Sequence, residues 1–227
     1  MYVGLKMITK FVTITPQTLV RDADRLMEEQ RLWMLLVIDA KGRLIGYVNK
    51  DDIRAALPSQ ATTLERHELN YLLSKLTVDR IMREDVTMVS PETEIEEAAE
   101  IMYRKNLAGL AVVCPDGRLV GFINRSVMLD VLVEEMGLRQ GGARIAFEAE
   151  DRPGVMREMS GIISDMGVSI IAASAFFHDG RRMLVFRLKT PDPGPVAAAI
   201  AERGYALVDA ETFRAKWADV CCTPGKG

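Results

Sequence analysis

Two periods of apolar and polar residues run along the chain, and they predict a mixture of strands and helices. The segments FVTITP from Phe11 and VTMVSP from Val86 are short, rich in β-branched residues and stopped by proline, which is typical of brief strands. TLVRDADRLMEEQ from Thr18 and TEIEEAAEIMYRKN from Thr93 carry apolar residues at helical spacing and predict amphipathic helices. WMLLVID from Trp33 and its counterpart GLAVVC are nearly continuously apolar and predict buried strands.

These elements occur twice because the chain contains an internal duplication. A shift of 75 positions aligns residues 3–53 with 78–128 without a gap. The identical pairs include Val3 with Val78, Pro16 with Pro91, Gly46 with Gly121 and Asn49 with Asn124. Each copy has the order β-α-β-β-α over about 55 residues, too few to bury a sheet face alone. We therefore expect the two copies to pack together as a pair.

The pattern changes after residue 142, where a different order of elements begins. A strand at 143–149 leads into the turn EDRPG and then into a helix. The apolar face of this helix holds Val155, Met159, Ile162, Ile163 and Met166. Two strands joined at Asp179-Gly180, a second helix and a last strand complete the order β-α-β-β-α-β, which is the ferredoxin-like arrangement.

The expected fold class is α+β, with tandem β-α-β-β-α repeats followed by a C-terminal ferredoxin-like domain. The predicted boundaries are 1–58 for the first repeat, 59–76 for a linker helix, 77–137 for the second repeat, 138–142 for a glycine-rich linker, 143–216 for the ferredoxin-like domain and 217–227 for a tail. The linker helix is predicted from a capping box of Thr62 with Glu65 and from leucines at near-helical spacing.

Composition excludes several classes of partner and site. The net charge is −3 and the basic residues are scattered, so no basic stripe is present to bind nucleic acid. No apolar run approaches the roughly 20 residues that cross a membrane, and the first residues lack the apolar core of a signal peptide. We therefore expect a cytoplasmic protein. The three cysteines and two histidines show no metal-ligand spacing.

The repeat resembles the CBS domain, whose paired copies form a Bateman module. The resemblance depends on the motif Gly-hydrophobic-hydrophobic-Ser/Thr-x-x-Asp, which the first copy carries from Gly46 to Asp52 with asparagine at the Ser/Thr position. It implies a regulatory module that binds an adenine nucleotide such as AMP or ATP, or an adenosyl ligand such as S-adenosylmethionine. These ligands are expected in the clefts between the copies, as regulators and not as required cofactors.

Asp52 is the main candidate for nucleotide binding. A carboxylate in the first turn of a helix can accept hydrogen bonds from two ribose hydroxyls. Asn49 can cap the helix or reach the ligand, and Lys50 is a candidate for contacting a phosphate. The candidate walls for the base are Ile14, Trp33, Met34 and Leu35. The alternative is that Asp52 only caps its helix, since acids are favoured there without any ligand.

The second copy departs from the motif because Val127 stands where the first copy has Asp52. Valine cannot accept a hydrogen bond from ribose, so the second cleft is expected to be degenerate, altered in specificity or empty. Asn124, Arg125 and Ser126 are its weaker candidates, and Asn124 and Ser126 are more readily explained as structural residues.

The C-terminal pattern resembles the ACT domain, through the motif Asp-x-Pro-Gly at Asp151 to Gly154. This resemblance implies amino-acid binding between paired copies, with Asp151, Gly154, Val155 and Met156 as candidate contacts. The alternative is that Pro153-Gly154 is only a turn before a helix.

The domain order resembles the acetoin utilisation proteins of the AcuB type, which implies a regulatory protein linked to acetoin or acetyl-group metabolism. We expect a homodimeric sensor that acts on an unknown regulated protein. The alternative is an interaction scaffold whose CBS clefts are empty. We do not expect an enzyme, because the chain has no glycine-rich phosphate loop, nucleophile elbow or catalytic acid motif.

Overall fold

A computed structural model describes residues 1–57, 74–211 and 214 of the chain. The chain divides into two compact units, Met1–Leu129 and Asp130–Gly227. Residues 58–73, which include most of the predicted linker helix, lie outside the described residues, and so does the predicted tail at 217–227.

The first repeat has the predicted order of elements. Its strands and helices are β1 (Thr13–Ile14), α1 (Val20–Glu29), β2 (Met34–Ile38), β3 (Leu44–Asn49) and α2 (Lys50–Ala56). β1 pairs in parallel with β2, and β2 pairs antiparallel with β3. The buried face of α1, formed by Val20, Ala23 and Met27, packs on the same core as Leu35 and Val37.

The second repeat follows the same plan. Its elements are β4 (Met88–Val89), α3 (Ile95–Arg104), β5 (Gly109–Val113), β6 (Leu119–Asn124) and α4 (Arg125–Glu135). The registers of the two hairpins correspond: Val37 pairs with Gly46 in the first repeat, and Val112 pairs with Gly121 in the second. The α+β fold with two duplicated halves is therefore confirmed.

The first residues of each repeat, 3–8 and 78–83, are here named the lead-in segments, and each pairs with the opposite repeat. Ile8 forms a β-bridge with Phe122, whereas Arg83 forms one with Tyr47. The amide of Tyr47 donates to the carbonyl of Arg83 at 2.9 Å. Val78, from the second lead-in segment, is completely buried in the core of the first repeat. The lead-in segments therefore hold the two repeats together, through backbone hydrogen bonds and through buried side chains such as Val78, which lies in the core of the opposite repeat.

The second unit contains the predicted β-α-β-β-α-β order. Its elements are β7 (Ala143–Ala149), α5 (Val155–Asp165), β8 (Ile170–His178), β9 (Arg181–Leu188), α6 (Gly194–Ala201) and β10 (Ala206–Leu207). The strands form one sheet in the order β10-β7-β9-β8, which is ferredoxin-like as expected. The boundary between the two compact units falls inside α4.

The core of the second unit lies between its sheet and the helices α5 and α6. Val155, Met159, Ile162 and Ile163 are buried on one face of α5, as the apolar pattern predicts. The prediction that Met166 shares this face was wrong, since Met166 follows the last helical residue and is 40% exposed.

Candidate functional site

Asn49 and Asp52 form a capping box at the start of α2. Asn49 is the N-cap residue, and its Oδ1 accepts a hydrogen bond from the amide of Asp52 at 2.8 Å. The Asp52 carboxylate in turn accepts a hydrogen bond from the backbone amide of Asn49 at 3.2 Å. The helix-capping role weighed for Asp52 is therefore present, since two amides that the helix leaves unpaired are satisfied.

The same carboxylate binds Arg83 of the second lead-in segment. Nε of Arg83 donates to Oδ1 at 2.9 Å and to Oδ2 at 3.0 Å, and Nη2 donates to Oδ1 at 2.5 Å. With the amide of Asn49, the carboxylate accepts four hydrogen bonds, which is about its full capacity. These hydrogen bonds raise the pKa of Arg83 above its ordinary value. Any ribose that binds Asp52 must therefore compete with a guanidinium.

Sequence reasoning missed Arg83, although the repeat contains a signal for it. The 75-residue shift aligns Arg83 with Ile8, just as it aligns Asp52 with Val127. Arg83 and Asp52 therefore form a charged pair on one side of the pair of repeats. On the other side, apolar residues stand at both corresponding positions, Ile8 and Val127.

The start of α4 shows what remains of the capping box in the second repeat. Oδ1 of Asn124 accepts a hydrogen bond from the amide of Val127 at 3.0 Å. Val127 has no side-chain oxygen, so it cannot accept a hydrogen bond from the amide of Asn124. Arg125 donates to the carbonyl of Leu107 at 2.9 Å, and Ser126 is exposed. Asn124 therefore serves as a helix cap, and Arg125 is tied to the backbone.

A cavity of about 300 Å³ lies between the two repeats, inside the first unit. We name it the aromatic cleft; the residues that define it here are Lys10, Phe11, Arg31, Trp33, Met34, Phe122 and Asn124. The rings of Phe11 and Phe122 pack edge to face, with their centroids 5.7 Å apart. Trp33 is 74% exposed, so a large part of its ring is accessible to a ligand.

The charges at the aromatic cleft are positive. Lys10 and Arg31 both line it, and none of the described residues of its lining is acidic. A cavity with aromatic walls and two cations can take a flat, partly anionic molecule of small size.

The predicted nucleotide-binding residues divide into two groups. Trp33 and Met34, predicted for the first cleft, and Asn124, predicted for the second, come together in the lining of the aromatic cleft. The remaining candidates are outside the lining found for this cleft; they are Ile14, Leu35, Asn49, Lys50, Asp52, Arg125 and Ser126. Ile14 and Leu35 are buried in the core of the first repeat.

The candidate amino-acid site of the second unit lies where β7 meets α5. Asp151 forms an ion pair with Arg182 of β9, and Gly154 adopts a left-handed conformation with φ 89° as the N-cap of α5. The side chain of Val155 is buried in the core, and Met156 packs against that core. Asp151 lines a surface basin of about 610 Å³, whereas Val155 is buried and is not part of the lining found for this basin.

A network of polar side chains, Arg152, Glu158 and Tyr205, lies at the same loop between β7 and α5. Nη2 of Arg152 donates to Oε2 of Glu158 at 2.6 Å and to the hydroxyl of Tyr205 at 2.9 Å. The hydrogen bond from Arg152 holds the pKa of Glu158 below its usual value. Burial, together with a hydrogen bond to Glu158, raises the pKa of Tyr205. The network joins the loop, the first turn of α5 and the residue before β10.

Two further findings concern metal ions and membranes. In the described parts of the chain, no group of three His, Cys, Asp or Glu side chains is arranged to hold a metal ion. Among the helices that the structure describes, none has both the length and the apolar character needed to cross a membrane.

Comparison with known families identifies both kinds of domain. The CBS domain family matches residues 3–59 and 78–134, and the ACT domain family matches residues 143–206. The chain belongs to the CBS domain family, with a pair of CBS domains followed by an ACT domain. The resemblances inferred from the two motifs are thereby confirmed.

Individual relatives match mainly the CBS pair. A CBS domain-containing protein of Dictyostelium discoideum is 29% identical over 122 residues, covering 54% of this chain and 84% of the relative. The structure of a Vibrio cholerae protein assigned to acetoin utilization (AcuB) matches with a TM-score of 0.51 and 26% identity, covering 62% of this chain and 96% of the other. The structure of protein MJ1225 of Methanocaldococcus jannaschii matches with a TM-score of 0.51 and 27% identity, covering 59% of this chain and 50% of the other.

Proposed function

We propose that the chain is a non-catalytic sensor whose CBS pair binds an adenine nucleotide, or a related adenosyl ligand, in the aromatic cleft. The observation that carries this proposal is the composition of the cleft, which combines three aromatic rings with two cations. A purine base stacks on exposed aromatic rings such as Trp33, and a phosphate forms charge-assisted hydrogen bonds with lysine or arginine.

The origin of the lining residues supports a regulatory role. Phe11, Trp33 and Met34 belong to the first repeat, whereas Phe122 and Asn124 belong to the second. A ligand that contacts both repeats binds best when they are correctly placed, so it favours one arrangement of the pair over others. The chain would pass this preference to a regulated protein.

Tryptophan fluorescence tests the site directly. The chain contains two tryptophans, Trp33 and Trp217, so a Trp217→Phe variant leaves Trp33 as the reporter. We expect AMP and ATP to change its emission with saturation, and S-adenosylmethionine to bind less tightly because it has no phosphate. Calorimetry on the unmodified chain gives the same affinities independently.

A matched pair of variants separates stacking from general effects. Trp33→Ala should weaken AMP binding in calorimetry about tenfold, since stacking a base on an aromatic ring is worth roughly 1–3 kcal/mol. Tyr103→Ala is the control, because Tyr103 is an 81% exposed aromatic residue of α3 outside the cleft lining. Failure of all three adenosine compounds to bind would contradict the sensor proposal and favour the interaction scaffold.

A ligand site at Asp52, Asn49 and Lys50 stays a prediction. Ribose hydroxyls at Asp52 would have to replace hydrogen bonds from Arg83. Binding at this place should therefore strengthen in an Arg83→Ile variant, which calorimetry would detect as a second AMP site.

We also propose that the ACT domain binds an amino acid and that the chain forms a homodimer. The left-handed Gly154 supports the first proposal, because the amides that follow it at the start of α5 can hold a carboxylate. The edge strand β8 supports the second, since Phe176 and Phe177 are 47% and 62% exposed on it. Calorimetry with the free amino acids tests the first proposal, and light scattering after gel filtration tests the second.

The cellular role is proposed from the name given to one structural relative. The Vibrio cholerae protein supports a cytoplasmic role linked to acetoin or acetyl-group metabolism. Growth of a deletion strain on acetoin, with a strain carrying the restored gene as control, tests this link. Normal growth without the gene would contradict it.

A further inference from the structure

We infer that the aromatic cleft recognises a base and an anionic group but does not recognise the ribose hydroxyls of its ligand. This inference rests on the proposed nucleotide-binding function and specifies its ligand class: ribonucleotides and 2′-deoxyribonucleotides should bind equally well. Proteins that select ribose commonly place a carboxylate where it accepts hydrogen bonds from both hydroxyls. Among the described residues that line the cleft, no carboxylate is present to do so.

The position that corresponds to Asp52 in the second repeat is occupied by valine. Asn124 lines the cleft at the end of β6, and Val127 lies three residues later in the first turn of α4. In the first repeat, the residue at this place is Asp52, whose carboxylate reaches back to the amide of Asn49. Val127 has no acceptor, and Oδ1 of Asn124 already accepts from the amide of Val127 at 3.0 Å.

Asp52 cannot substitute for the missing acid. It is not part of the cleft lining, and its oxygens already accept hydrogen bonds from Arg83 and from the amide of Asn49. Its side chain is only 11% exposed. The acid of the CBS motif is therefore used to join the two repeats, and no acid is found among the described residues that line the aromatic cleft.

The duplication supplies a gain-of-function test. The position aligned with Arg83 is Ile8, so a carboxylate introduced at position 127 has no arginine at the corresponding place to neutralise it. It would also complete a capping box with Asn124, as Asp52 does with Asn49. A Val127→Asp variant should therefore fold and should present a free acceptor to the sugar.

The experiment compares AMP with 2′-deoxy-AMP by calorimetry. For the unmodified chain we expect dissociation constants that agree within about twofold, and AMP binding tighter by tenfold or more would overturn the inference. If neither nucleotide binds, the proposed nucleotide-binding function fails, and the inference fails with it. If both bind but AMP binds much more tightly, only the inference fails.

The variants are measured in the same way. Val127→Asp should bind AMP at least fivefold more tightly than 2′-deoxy-AMP. Leu129→Asp is the charge-matched control, because Leu129 is 64% exposed on the same helix and lies outside the cleft lining, and its ratio should stay near one. A ratio near one in Val127→Asp, with native far-ultraviolet circular dichroism, would overturn the inference, since position 127 would then not be beside the sugar.

Discussion

The guanidinium of Arg83 holds the carboxylate of Asp52 through three hydrogen bonds of 2.5–3.0 Å, and this contact joins the two CBS repeats. The side chain of Asp52 is 11% exposed and that of Arg83 is 50% exposed, so the acid is largely shielded from water. The positions related to them by the duplication are Val127 and Ile8. A charged pair on one side of the module thus corresponds to an apolar pair on the other.

Removing one member of the charged pair should destabilise the first unit. Arg83→Ile leaves the shielded Asp52 carboxylate without its guanidinium, which is more costly than replacing both partners. We expect the urea midpoint, followed by circular dichroism, to fall in Arg83→Ile and to recover in part when Asp52→Val is added. Strictly additive effects of the two changes would contradict this coupling.

The two helix caps should contribute unequally to stability. Asn49→Ala and Asn124→Ala each remove one hydrogen bond, the one that the asparagine side chain accepts from a helix amide. In the first repeat the backbone amide of residue 49 can still donate to the Asp52 carboxylate, whereas the second repeat has no such reciprocal hydrogen bond. Each change should lower the free energy of unfolding by about 1 kcal/mol, with the smaller loss for Asn49 because the reciprocal hydrogen bond to Asp52 still holds that helix start. Urea unfolding measures both, and Asn49→Asp is the control because it retains an acceptor oxygen. An equal or reversed order of the losses would show that the reciprocal contact from Asp52 adds nothing.

The close approach between the repeats should make Gly46 more sensitive to substitution than Gly121. A Cβ on Gly46 would lie 2.7 Å from the carbonyl oxygen of Arg83, which is backbone and cannot easily move. At Gly121 the nearest atom, also at 2.7 Å, is the sulfur of Met7, whose flexible side chain can turn away, and the backbone carbonyl oxygen of Ile8 is farther off at 3.1 Å. Gly46→Ala should therefore cost about 1–3 kcal/mol of unfolding free energy, and Gly121→Ala less.

The internal control for these substitutions is Gly161→Ala. Gly161 lies inside α5, and a Cβ there would have no atom within 4 Å. Alanine at this place should stabilise the chain by about 0.5–1 kcal/mol, because glycine is unfavourable inside a helix. Urea unfolding of all three variants under one condition gives the comparison, and a similar loss at Gly46 and Gly121 would contradict the steric argument.

The ACT domain should lose stability in acid through Glu158. The folded-state pKa of Glu158 lies below its unfolded value near 4.5, because Arg152 and Tyr205 hydrogen-bond the ionised form. Its stabilising contribution is therefore complete above the unfolded pKa and is lost as the pH falls through the folded pKa. Glu158→Gln should reduce the loss of stability between about pH 6 and about pH 3.

The measurement for Glu158 is the urea midpoint at a series of pH values. Glu202→Gln is the control, since Glu202 is an exposed acid of the same unit. An acid dependence in Glu158→Gln that matches the unmodified chain would show that the contact with Arg152 does not stabilise the folded state.

The sequence by itself determined the order of the elements and the duplication. Local patterns were sufficient, because an apolar stripe such as Val20, Ala23 and Met27 defines a helix face wherever the helix lies. The turn glycines Gly42 and Gly117 were also predictable, and their φ angles are +75° and +81°. Nothing in these features depends on distant parts of the chain.

Only the tertiary structure decided which side chains meet. Asp52 was a predicted ligand residue, but its arginine partner is 31 positions away and reaches it because the lead-in segments cross to the opposite repeats. Trp33 and Asn124, assigned from the sequence to different clefts, line the same cavity. Local periodicity carries no information about such long-range pairings, because they depend on how two similar halves pack against each other.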